Sequence, residues 1–93
     1  MKIKTITAAT ANRYEMKEYT DTMARGYAAA RDGRGADAEW HFHQAVAVAF
    51  VRRKDATYSA LVRVTWTIAH DAASAAADTV RKAFNPPVGQ VRG

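Results

Sequence analysis

Residues 58–81 read YSALVRVTWTIAHDAASAAADTVR, and the reading of this stretch decides the fold class. Ser59, Arg63, Thr67, His70, Ser74, Asp78 and Arg81 recur at spacings of three and four. Between them lie Tyr58, Leu61, Val62, Thr65, Ile68, Ala69, Ala72, Ala73, Ala76 and Val80. One polar face against one wide apolar face, held over this length, predicts a long amphipathic helix. A strand reading competes: Ala60, Val62, Val64, Trp66 and Ile68 alternate with Ser59, Arg63, Thr65 and Thr67, and β-branched residues favour strands. Leu61 breaks the polar side of that alternation, and the period of two dies at His70, whereas the helical stripe runs on to Arg81. Residues 58–81 are therefore expected to be helical.

Upstream of this stretch, Arg52-Arg53-Lys54 closes a second predicted helix, from about Ala38 to Arg53, where basic groups suit the negative end of the dipole. Asp37 is its expected cap, and Asp55 or Thr57 that of the third helix. The first half of the second helix has a polar side of Asp37, His41 and Gln44. Its second half, Ala45 to Val51, is apolar all round, which predicts burial between neighbours and a central place. Trp40, Phe42, Val46, Val48 and Phe50 alternate as a strand would, but five alanines between 36 and 49 favour helix.

Further back, Asp32-Gly33-Arg34-Gly35 reads as a stop, because glycine reaches the left-handed conformation that ends helices. A first helix precedes it from Arg13 to about Arg31, with Met16, Tyr19, Met23, Gly26, Tyr27 and Ala30 as its apolar stripe. Asn12 and Glu15 stand at capping-box spacing, and Gly26 reads as a weak interruption. Residues 1–9 are open between a docked strand and a loose arm. Downstream, Asn85-Pro86-Pro87 forbids continuation of the third helix, and 86–93 is expected to be a flexible tail. The expected fold is all-α: one domain over 1–93, ordered from about 10 to 85, forming a small antiparallel three-helix bundle.

The third helix should protrude. At about 1.5 Å per residue it spans roughly 40 Å and the second only about 24 Å. Its C-terminal part, rich in alanine, then lacks cover, and small residues let helices approach closely. A second copy packed there would make a homodimer through Ala69, Ala72, Ala73, Ala76 and Val80.

Ninety-three residues build a thin core. The chain has no cysteine, so disulfides and thiolate zinc sites are excluded. The longest apolar run has seven residues, against roughly twenty for a membrane span, and Met1-Lys2-Ile3-Lys4 has no apolar core behind it. A soluble, cytoplasmic protein is the expectation. No cofactor is expected. His41 and His43 point apart on a helix, and no His-Glu-x-x-His motif accompanies them. No nucleophile-elbow context surrounds any serine, and Gly33 and Gly35 lack the rest of a phosphate loop. The chain therefore reads as non-enzymatic.

The net charge is +5 and the isoelectric point about 9.9, so nucleic-acid binding is the alternative function. Against it, Arg31 and Arg34 lie at the first turn, and Arg52, Arg53 and Lys54 at the second. Asp71 and Asp78 also interrupt the basic residues of helix three. The preferred function is protein–protein interaction. Aromatic and arginine side chains supply most binding anchors, which selects Tyr14, Trp40, Arg52, Arg53 and Arg63 as partner contacts. Trp66 borders the apolar face of its helix and is expected in the core. Nine of the fourteen basic residues are arginine, and alanine dominates the apolar fraction. With its size, lack of cysteine and lack of catalytic motifs, the whole chain resembles, in composition, small orphan proteins of actinobacterial phages. That resemblance implies modulation or inhibition of a host protein, with the chain itself and an unidentified protein as partners.

Overall fold

A computed structural model describes residues 16–84, and among them all regular structure is helical. Helix α1 is Lys17–Arg31, α2 is Gly35–Asp55, a single 3₁₀ turn covers Ala56–Tyr58, and α3 is Ala60–Phe84. The expected cap at Asn12 and Glu15, the arm at 1–9, Tyr14 and the tail at 86–93 lie outside the described residues.

The stretch that admitted a strand is helical because its β-branched residues are accommodated. Thr65 is fully buried, and its hydroxyl donates to the Leu61 carbonyl at 3.0 Å. The Thr67 hydroxyl donates likewise to Arg63 at 2.9 Å. Such back-bonding to the preceding turn satisfies a threonine inside a helix. The start of α3 differs from expectation. Neither Asp55 nor Thr57 caps it, because the chain continues from α2 through the 3₁₀ turn and first becomes extended at Ser59 (φ −150°, ψ 120°). Ser59 accordingly accepts from the Val62 N–H at 3.3 Å. At α2 the cap position is Arg34, and Asp37 sits one turn inside, paired to Arg34 at 2.9 Å. The break between α1 and α2 falls at the predicted place. Gly33 takes φ 79°, the Arg34 N–H donates to Ala29 at 2.9 Å, and the Gly33 N–H donates to Ala30 at 3.1 Å. These two bonds close the helix as a left-handed glycine permits.

The middle helix packs against both others. Its core line is Ala38, Phe42, Ala45 and Ala49, and that of α3 is Trp66, Ala69, Ala73, Ala77 and Val80. Six of these nine residues are alanine, so the two helices approach closely. Helix α1 adds Tyr19, Met23 and Ala29, with Met16 at its cap. Gly26, read from the sequence as an interruption, is a packing residue. A Cβ there would lie 2.5 Å from the Phe42 ring. Tyr19 ties α1 to α3: its hydroxyl donates to the Ala69 carbonyl at 2.8 Å, and its ring meets Trp66 edge-on at 5.9 Å. Trp66, 2% exposed, is the core residue expected.

Burial, with a smaller contribution from Tyr27, pushes the Tyr19 hydroxyl from 10.0 up to about 12. The unfolded chain therefore loses this proton first. Stability that Tyr19 contributes is intact below pH 10 and is lost as pH rises toward 12. Urea unfolding between these limits should show a fall in stability that is shallower in Tyr19→Phe; equal slopes would show that Tyr19 ionises as freely folded as unfolded.

Two expectations are corrected. First, α3 has no uncovered overhang up to Phe84. Helix α2 has 21 residues, not 16, and so spans about 31 Å. Phe84, the last residue of α3, lies against Gly35, the first of α2. Ala69 and Ala73 are 0% exposed and Val80 7% within the single chain; Ala76 is half-buried and Ala72 alone is exposed. The small residues intended for a second copy are mostly used by α2. Second, the segment Ala45–Val51 is not buried all round. Phe50 is 46% and Val51 54% exposed, and Ala47 is also exposed.

Candidate functional site

The surface that remains for chemistry or binding is set by helix phase. Each core residue of α3 from Trp66 to Val80 is followed directly by a member of the polar stripe: Thr67, His70, Ser74, Asp78, Arg81. One residue is about 100° of helix rotation. The stripe is thus a shoulder beside the core, not its opposite pole, and Thr67, His70, Ser74 and Asp78 are half-buried. The outward pole carries Val64, Asp71, Ala75, Thr79 and Lys82.

Between this shoulder and α2 lies a groove of about 250 Å³, lined by Glu39, His43, Val46, Ser74, Ala77, Asp78 and Arg81. Its ionisable side chains each have a partner. His43 stands 3.3 Å from Glu39, and Asp78 is paired to Lys82 at 3.1 Å and to Arg81. The Lys82 hydrogen bond, ahead of other contributions, holds the Asp78 carboxyl below its ordinary range. A carboxylate held ionised in this way has no proton to donate near neutral pH. Among the described residues no group of three or more His, Asp or Glu is placed to hold a metal ion. Nor is any helix among them long and apolar enough to cross a membrane. His41 and His43 fall on different sides of α2, the first half-buried and the second exposed. His70 faces the Phe50 ring at 6.5 Å and Asp71 at 3.6 Å.

Of the exposed large apolar side chains, Trp40, Phe50 and Val51 lie on α2, and Tyr27, Tyr58, Val64 and Phe84 are spread over the other elements. Trp40 (59% exposed), Gln44, Ala47 and Val51 occur at spacings of four, three and four, and all are exposed. They form one stripe on the side of α2 turned away from Phe42 and Ala49. Phe50 extends it toward α3, with the Lys54 ammonium 5.9 Å from its ring centroid. Val51 borders a second depression of about 330 Å³, lined also by Glu18, Ala47, Val48, Arg52 and Asp55.

Of the partner residues selected from sequence, Trp40 lies on this stripe and is exposed as expected. Arg52 and Arg53 are half-buried at the C-terminal end of α2, and Arg63 is exposed on the first turns of α3. None of these three arginines, nor Lys54, has an ion pair among the described residues, whereas Arg34 has two and Arg81 and Lys82 one each. Phe50, Val51 and Ala47 were missed. The signal was present in the run that is apolar all round. Two neighbouring helices cover only part of a helix's circumference, so such a run leaves an apolar side bare. Comparison with protein families, with curated proteins and with solved structures finds no match to this chain.

Proposed function

We propose that this chain is a small non-enzymatic protein–protein interaction module, an antiparallel three-helix bundle that docks through the outer stripe of α2. The antiparallel arrangement is supported by two short connections and by the contacts of Gly35 with Phe84 and of Phe50 with His70. The observation that carries the function is the exposure of Trp40, Phe50 and Val51 on one helix of a chain with so little core. Large apolar side chains gathered on one face mark interaction sites, and tryptophan is the commonest anchor. The compositional resemblance to small phage proteins adds a host protein as the eventual target, with modulation of that protein as the outcome.

A tagged chain expressed in a bacterial host should retain protein, either a further copy of itself or another polypeptide. Trp40→Glu combined with Val51→Glu should abolish that retention while leaving far-UV circular dichroism unchanged. The second reading, nucleic-acid binding, is favoured by Arg52, Arg53, Lys54 and Arg63, which have no ion pair among the described residues. It predicts retained nucleic acid, insensitive to the Trp40 change and lost steeply with salt. Recovery of that kind would displace the protein-interaction reading.

A further inference from the structure

We infer that the occupant of the outer α2 stripe is a second copy of this chain, bound with its α2 running antiparallel; this rests on the interaction reading above. The charge along α2 is polar. Asp37 and Glu39 stand in its first turns, where Arg34 at the cap is paired to Asp37, and Arg52, Arg53 and Lys54 stand in its last turn, which ends on Asp55. The stripe is symmetric about the middle of the helix: two large residues, Trp40 and Val51, flank two smaller contacts, Gln44 and Ala47. Two α2 helices laid antiparallel about that middle put Trp40 level with Val51 of the second copy, and Gln44 level with Ala47. The same register brings the acidic start of each α2 beside the basic end of the other: Glu39 shares the flank toward α3 with Lys54, and Asp37 the opposite flank with Arg52. A two-fold axis repeats each of these pairings, as a self-complementary interface requires. A parallel pairing would set three cations against three cations. Antiparallel pairing also opposes the helix dipoles. Ala47 at the centre lets the two backbones approach, while Trp40 fills the space at either end.

Self-association must overcome the chain's net charge. That charge is +5 for the whole chain, and the described residues carry ten basic against eight acidic groups. The opposed ends of α2 convert part of it into attraction, which steers register more than it adds affinity. Phe50 and Val51, exposed in the single chain, become part of a continuous apolar layer between the two bundles.

Sedimentation of the full chain across a range up to hundreds of micromolar tests this. The expected mass is near twice 10.2 kDa. Trp40→Glu and Val51→Glu should each return it to a single chain with unchanged helicity. Charge exchange tests the antiparallel register. A chain with Arg52→Glu and Lys54→Glu, and a chain with Asp37→Lys and Glu39→Lys, should each be monomeric alone and dimeric when mixed. Mixed chains that stay monomeric while the unaltered chain dimerises would overturn the register. A single species near 10.2 kDa for the unaltered chain would overturn the self-pairing. The interaction reading would survive that result if Trp40-dependent retention of another protein persists, and would fail with it if no protein is retained.

Discussion

Ala73→Glu is expected to unfold the chain, not to change its association state. Ala73 is 0% exposed in the core shared by α2 and α3, to which Ala38, Ala45, Ala49, Ala69 and Ala77 also belong. A glutamate there must bury a carboxylate and also force apart helices held close by small residues. Burying an unpaired charge and overpacking a core each cost several kcal/mol at most sites. Whole domains are stable by only about 5–15 kcal/mol. Far-UV circular dichroism at 25 °C should show loss of most helix. Ala72→Glu, one residue earlier and exposed, should change stability by no more than about 0.5 kcal/mol. A folded Ala73→Glu protein that had lost only oligomeric mass would return the self-contact to α3.

The second large effect joins α1 to α2. Phe42 is 1% exposed, its ring lies against Gly26, and Tyr27 meets it edge-on with centroids 5.0 Å apart. Phe42→Ala should cost about 3–5 kcal/mol through the cavity it leaves. Gly26→Ala gains helix propensity of about 1 kcal/mol but places a methyl group inside the ring's own volume. The net is expected to be destabilising by about 1–3 kcal/mol, because a ring that is 1% exposed must be displaced to admit the methyl group. In the double variant the added methyl enters the vacated space. Its cost should fall below the sum of the single costs by about 1 kcal/mol or more. Urea unfolding with unchanged slopes measures all three values, and strictly additive costs would show that the two residues do not share this contact.

Much of this architecture was legible from residue spacing. The polar and apolar periodicity of 58–81 named α3 as a helix through a region of strand-favouring residues. The pair Gly33 and Gly35 marked the break before α2, and the apolar border of α3 named Trp66 as core. These are properties of one segment: periodicity, left-handed glycine conformations and the exclusion of proline act within a few residues of chain. The candidate surface was only half legible. Trp40 was selected for its type and its place near a helix start, whereas Phe50 and Val51 were assigned to the interior with the rest of their apolar run.

Helix existence, the break between α1 and α2 and the identity of the largest core residue were determined by the sequence alone. Tertiary structure decided which side of each helix is covered. Three further residues at the start of α2, beyond the length predicted, brought Gly35 to Phe84, and α2 covers the alanines that had looked free on α3. The same packing left one side of Ala45–Val51 bare, because a helix with two neighbours is covered on only part of its circumference. It also turned Gly26 from an interruption into a seat for Phe42, and moved the start of α3 to Ser59 by carrying the chain through a 3₁₀ turn. Coverage depends on the lengths and number of the neighbours, which no pattern within a single helix encodes.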